Sequence, residues 1–130
     1  MSTIPLQKAV AFISSDIEAL LGAIPVPLGT ADPPNSSGVY MFLVDDAIVY
    51  VGEAKGSQGL RDRLLRKHIS GDDKHACQRA FKEKIPDRML RRTYIKENVF
   101  ARWLPIPDSD RISAVERLLI WLYKPAWNQK

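Results

Sequence analysis

The stretch Gly38-Val-Tyr-Met-Phe-Leu-Val44, Asp45-Asp46-Ala47, Ile48-Val-Tyr-Val-Gly52 decides the fold. Two runs of β-branched and aromatic residues separated by a short acidic link read as a β-hairpin. Side chains two apart in a strand share a face, so Gly38 goes with Tyr40 in the first run and Tyr50 with Gly52 in the other, all four on one side of the hairpin. Each strand offers one tyrosine, with a glycine nearby where backbone or ligand can approach closely. Beyond the hairpin, residues 53–59 form a flexible loop leading into Leu60-Arg-Asp-Arg-Leu-Leu65. Apolar spacing predicts a helix there from about residue 60 to 69, with Leu60, Leu64, Leu65 and Ile69 inward and Gly71 as its stop. Arg63, Arg66 and Lys67, three and four positions apart, project together from one face of it, and Arg61 sits to the side.

Upstream, Leu6, Ala9, Val10, Ile13, Ile17, Leu20, Leu21 and Ile24 fall on one stripe of a 3.6-residue period. Residues 4–21 are therefore an amphipathic helix, with Thr3 as cap and Gly22 as stop. It either packs on the back of the sheet or offers a surface to a partner. Residues 25–37, rich in proline and glycine, are an extended loop. Downstream come a basic helix over residues 75–84 and a short helix plus turn over 87–97. A third strand follows over 99–106, ended by Pro105 and Pro107, and a last helix over 110–124, capped by Asp108 or Ser109 and stopped by Pro125. The expected fold class is α+β (α/β): a small three-stranded antiparallel sheet flanked by helices. Residues 1–37 are an addition packed on a domain that spans 38–130.

Composition narrows the function. A chain of 130 residues with 45% hydrophobic and 26% charged residues is one soluble globular domain. One cysteine, Cys77, excludes a disulfide-stapled scaffold and fits a reducing, cytoplasmic setting. The N-terminus lacks the basic region of a signal peptide, and Asp16 and Glu18 interrupt the only candidate membrane span. Two histidines and one cysteine make no zinc constellation. The net charge of +4 is unevenly spread: residues 53–102 carry fourteen Lys and Arg against seven Asp and Glu. Such a basic middle suits a polyanion such as nucleic acid. Lys67, Lys74, Arg79, Lys82, Arg91 and Arg92, with Arg66, are the candidate grip, acting on phosphates rather than bases. The competing reading of the same charges is a solvated helix face.

Gly38-Val39-Tyr40, Tyr50-Val51-Gly52, the Arg61 and Arg63 pair opening a helix, Glu116 before Leu118-Leu119-Ile120, and Pro125-Ala-Trp-Asn128 appear in that order. In this the chain resembles the GIY-YIG nuclease family over residues 38 to 128. The resemblance implies a metal-dependent endonuclease acting on DNA, with RNA as an alternative substrate. It also implies Glu116 as ligand of Mg²⁺ (or Mn²⁺), Asn128 as the tie between the C-terminal tail and the site, and Tyr40 or Tyr50 assisting deprotonation of water. Arg63, with Arg61 as the other candidate, clamps phosphate, since a guanidinium fork matches phosphate oxygens. Many family members carry a histidine or tyrosine four residues after that arginine. Here Lys67 occupies the place, and His68 falls about 140° around an ideal α-helix from Arg63. Whether Lys67, by electrostatics, or His68 takes that supporting role is left open; otherwise His68 reads as a half-buried helix histidine, and His75 as a surface one.

Glu116 also stands out without the resemblance. Ile112, Leu119, Ile120 and Tyr123 share its helix face, and an ionised carboxylate among apolar neighbours is expensive unless a cation joins it. The alternative is that Ser113 and Glu116 form a capping box and the helix starts late. For the tyrosines the cost is plain: ionising a free phenol at pH 7 takes about 4 kcal/mol. Lys55, Arg63, Lys67 and a metal are expected to supply the field that lowers it. Two non-nuclease readings compete, a catalytically weak nucleic-acid-binding module on the same fold and an interaction domain meeting an acidic protein. Oligomeric state is not legible.

Overall fold

The computed structural model describes residues 3–70 and 76–129, and the expectations placed on Gly71, Lys74 and His75 lie outside the described residues. Four strands form one antiparallel sheet, in the order β1 (Val26–Pro27), β4 (Phe100–Pro105), β2 (Gly38–Val44), β3 (Ala47–Ala54). The β2–β3 hairpin turns on Asp45 and Asp46, both at positive φ (50° and 66°). That conformation suits a two-residue hairpin loop, and aspartate tolerates it. The sheet has one strand more than three. β1 pairs Val26 with Ala101 and Pro27 with Phe100. Two residues, one of them proline, are too few to show alternation.

The sheet is covered on both faces. On one, Tyr40 and Phe42 of β2 meet Leu60, Leu64, Ile69, Cys77, Phe81 and Ile95 from the helices that follow the hairpin. On the other, Val39, Met41 and Leu43 meet Ile112, Val115 and Leu119 of the last helix and Leu20 of the first. Alternation along β2 thus feeds two separate cores, and all six residues from Gly38 to Leu43 are buried.

The helices are α1 (Leu6–Gly22), α2 (Gly59–Arg61) running through a π-wound segment (Asp62–Lys67) into α3 (His68–Ser70), α4 (Ala76–Phe81), α5 (Arg88–Asn98) and α6 (Ser109–Tyr123). α1 has Pro5, not Thr3, at its N-cap position. It docks on α6 and β4 through its C-terminal half, while Leu6, Val10 and Ile24 of the predicted stripe stay exposed. Asp16 and Arg111 lock the contact with two bonds of 2.6 Å each. Residues 88–98 are one continuous helix capped by Asp87, which accepts from the Leu90 N–H at 2.9 Å. Asp108 caps α6, accepting from the Arg111 N–H at 3.0 Å. Ser113 and Glu116 therefore lie inside α6 and form no capping box. Among the described residues, no helix is long and apolar enough to cross a membrane.

Candidate active site

Antiparallel pairing sets Tyr40 opposite Gly52 and Phe42 opposite Tyr50. A Cβ on Gly52 would stand 2.5 Å from the Tyr40 hydroxyl oxygen and 2.9 Å from the Tyr50 ring, so only glycine lets the two phenols converge there. Their ring centroids are 6.1 Å apart. Gly38 serves a different purpose: its Cβ would run into the Leu104 carbonyl, so it permits close approach of β4 rather than of a ligand.

Tyr40 is 1% exposed, and its Oη lies 2.8 Å from Nε2 of His68. His68 is 2% exposed, more deeply buried than the half-buried helix position read from the 140° angle. That angle assumes α-helical winding, whereas the His68 N–H bonds to the Arg63 carbonyl, five residues back, through the π-wound segment. The wider turn takes up one extra residue, and π-turns of this kind recur at functional sites. His68 thus comes to the tyrosines, with its ring 5.6 Å from those of both Tyr40 and Tyr50 and 4.8 Å from Phe42.

The two arginines separate cleanly. Arg61 bonds to Asp32 at 2.5 Å and to the Pro33 carbonyl at 3.2 Å, which commits it to pinning the loop before β2. Arg63 is half-buried and close enough that its charge draws both phenols downward. That pull does not win. Burial pushes Tyr40 well above the ordinary tyrosine range, with the Tyr50 phenol adding to it; burial and then the Glu116 charge push Tyr50 up as well. Without a metal, the nearby side-chain cations do not bring either phenol down, because desolvation outweighs them. Both hydroxyls stay protonated across neutral pH.

Glu116 projects from α6 at the β3 edge, half-buried, and its carboxyl is pushed up by burial and then by Glu53, against the pull of Arg117 and Lys55. Glu53 is a candidate site residue that sequence reasoning misses. The sequence places it in a loop, but β3 continues to Ala54 and pairs Glu53 with Val39. The Ser113 hydroxyl donates to the Glu53 carboxylate at 3.2 Å, and Lys55 Nζ donates to Ser113 at 2.7 Å and lies 3.4 Å from Glu53. Among the described residues, no three His, Cys, Asp or Glu side chains gather as a metal cluster. A half-buried carboxylate raised by a like-charged neighbour, beside a hydroxyl, nevertheless suits a hard divalent cation that keeps most of its waters.

Asn128 lies at the same strand edge. Its Nδ2 donates to the Val51 carbonyl at 2.9 Å and its Oδ1 accepts from the Val51 N–H at 2.8 Å. An open groove of about 500 Å³ is lined by Tyr50, Arg79, Trp127, Asn128 and Gln129. Arg79, legible from sequence only as part of a basic face, therefore stands beside Tyr50. The rest of that face scatters. Arg66 is exposed and paired with Asp62 at 2.8 Å, Lys67 and Arg92 are half-buried, and Lys82 is exposed in the turn after α4. Arg91 is a correction: it is 4% exposed and donates to the Ile85 and Pro86 carbonyls at 3.1 Å each. It lies on the inward stripe of α5 with Ile95 and closes the α4–α5 turn.

No protein-family profile and no curated protein matches this sequence. Among solved structures, the chain is similar to the GIY-YIG N-terminal endonuclease domain of UvrC from Thermotoga maritima. The likeness to a point mutant bound to its catalytic divalent cation has 17% identity and a TM-score of 0.49, covering 89% of this chain and 97% of that one. The likeness to the same domain bound to magnesium has 20% identity and a TM-score of 0.48, covering 88% and 97%. At those values it is a likeness of shape; the functional reading comes from the site's own side chains.

Proposed function

We propose that this chain is a metal-dependent endonuclease hydrolysing phosphodiester bonds in DNA. One observation carries the reading: Tyr40, Tyr50 and His68, from two strands and a helix, converge, with Arg63 and Glu116 close enough for their charges to act on Tyr50, which lines an open groove. Neither phenol needs to ionise beforehand. With the His68 proton on Nδ1, Nε2 accepts the Tyr40 hydroxyl proton while the phenol oxygen takes one from water, so charge ends on imidazole rather than on a buried phenolate. Tyr50, the more open phenol, orients that water or a phosphate oxygen. Arg63 offers a guanidinium fork to the non-bridging oxygens as negative charge builds on them. Glu116 would hold a divalent ion such as Mg²⁺ or Mn²⁺, with Glu53 and Ser113 beside it, and the ion would supply positive charge to the phosphate and the leaving oxygen.

The competing reading, a binding module without catalysis, draws on the lack of a helix partner for the tyrosines; the bond between His68 and Tyr40 supports the catalytic reading instead. Supercoiled plasmid incubated with Mg²⁺ tests the proposal. Nicking by the wild type, lost in Glu116→Ala and Arg63→Ala, is the expected result. Equal activity in all three, or none in the wild type, defeats it.

A further inference from the structure

The three rings Trp127, Phe81 and Tyr94 form a continuous aromatic run that the proposed chemistry leaves unused. Trp127 meets Phe81 at 5.6 Å with planes at 90°, and Phe81 meets Tyr94 at 5.1 Å and 63°. Phe81 is buried between them, whereas Tyr94 is 39% exposed and Trp127 borders the groove beside Tyr50. The outer rings are therefore held edge-on from behind. Trp127 is further fixed by the Asn128 amide on Val51 and by Arg79, which donates to its carbonyl at 3.5 Å. A ring immobilised before binding loses little freedom when a ligand stacks on it. Two cations lie close by in the chain, Arg79 and Lys82, both exposed on α4 and the turn that follows it.

We infer that Trp127 and Tyr94 form a stacking subsite for unpaired nucleobases of the substrate strand, with Arg79 and Lys82 on the adjoining phosphates. A positively charged track with aromatic faces along it is how single strands are held without sequence preference, since every base has a π-face. Bases inside a duplex are already stacked on each other and cannot use it. The inference rests on the nuclease reading for its substrate, but binding can be measured apart from cleavage. As a mere anchor for the C-terminal tail, the run would affect stability and not the discrimination of bases.

The test is fluorescence anisotropy in EDTA, comparing a labelled thymidine decanucleotide with an abasic chain of equal length and charge. The wild type is expected to prefer the thymidine strand by about tenfold or more, the effect of one or two stacked bases. Tyr94→Ala and Trp127→Leu reduce that preference without weakening the abasic strand, and Trp127→Phe retains it. Equal binding of both strands by the wild type, or a preference untouched by Tyr94→Ala and Trp127→Leu, overturns the subsite. Plasmid nicking in Mg²⁺ on the same preparations separates the two claims. Nicking with no base preference removes only the stacking subsite. Base preference without nicking removes the nuclease reading and leaves the subsite as a binding site.

Discussion

The two halves of the site are built by opposite means. Around Tyr40, orientation comes from packing: the ring is buried, wedged against Phe42 and Tyr50, and its hydroxyl is met by His68 from a helix whose turn is widened to reach it. Around Glu116, orientation comes from charge: Glu53, Lys55 and Ser113 link at a half-exposed strand edge, with Tyr50 as the ring that feels the carboxylate. The first half is preformed and buried, with Tyr40 and His68 at 1% and 2% exposure. The other is half-exposed and sets two carboxylates, Glu53 and Glu116, close enough for one charge to act on the other.

The sharpest way to break that contrast is to remove one group from the packed half. Tyr40→Phe keeps the ring and deletes only the hydroxyl facing His68; plasmid nicking should fall by about 10²–10⁴-fold, the usual share of a positioned proton-transfer group. Unchanged nicking would leave the packed half a mere core. Gly52→Ala tests the same half through space rather than chemistry. Its methyl meets both phenols, so overpacking should cost about 1–3 kcal/mol in urea denaturation and depress cleavage alongside.

The charged half answers to pH and metal. Because the Glu116 carboxyl is raised in the folded protein, its contribution to stability is fully present below the ordinary carboxylate pKa and is lost as pH rises through the folded value. Glu116→Gln should therefore raise the melting temperature of metal-free protein at neutral pH by on the order of 2 °C, with the gain vanishing toward pH 4. Added Mg²⁺ should stabilise the wild type and not the variant. A variant less stable than wild type at pH 7 would mean the carboxylate is already well satisfied without a cation.

Arg61→Ala gives the smallest effect. It breaks an exposed pair with Asp32, should change stability by less than about 1 kcal/mol, and should leave nicking intact where Arg63→Ala abolishes it. Comparable losses from both would erase the distinction between the two arginines.

The hairpin is legible because two β-branched and aromatic runs around a short acidic link are a strong signal, and its glycines and tyrosines fall in register with it. The separation of Arg63 from Arg61 is not, since it depends on Asp32 folding back across the helix. His68 is hidden by an assumption of uniform winding: one inserted residue moves a side chain from the wrong face to the right one. Glu53 is hidden because a glutamate after Gly52 resembles the end of a strand, yet β3 runs two residues further. Arg91 escapes because counting charge along a helix ignores which of its faces points inward, and carbonyls at a turn can hold a guanidinium as well as solvent does. Strand β1 is held by its neighbour and by the Leu28 N–H on the Val99 carbonyl, a long-range pairing that no local pattern announces.

The paired bonds from Asn128 to Val51 have a consequence outside chemistry. β3 borders the sheet, and a bare border is a template onto which another chain can zip. A primary amide occupying one rung imitates an incoming neighbour and blocks propagation past that point. Losing this single side chain would therefore unplug the border as well as loosen the tail, and light scattering on an Asn128→Ala preparation would register self-association before any assay registered a change in rate.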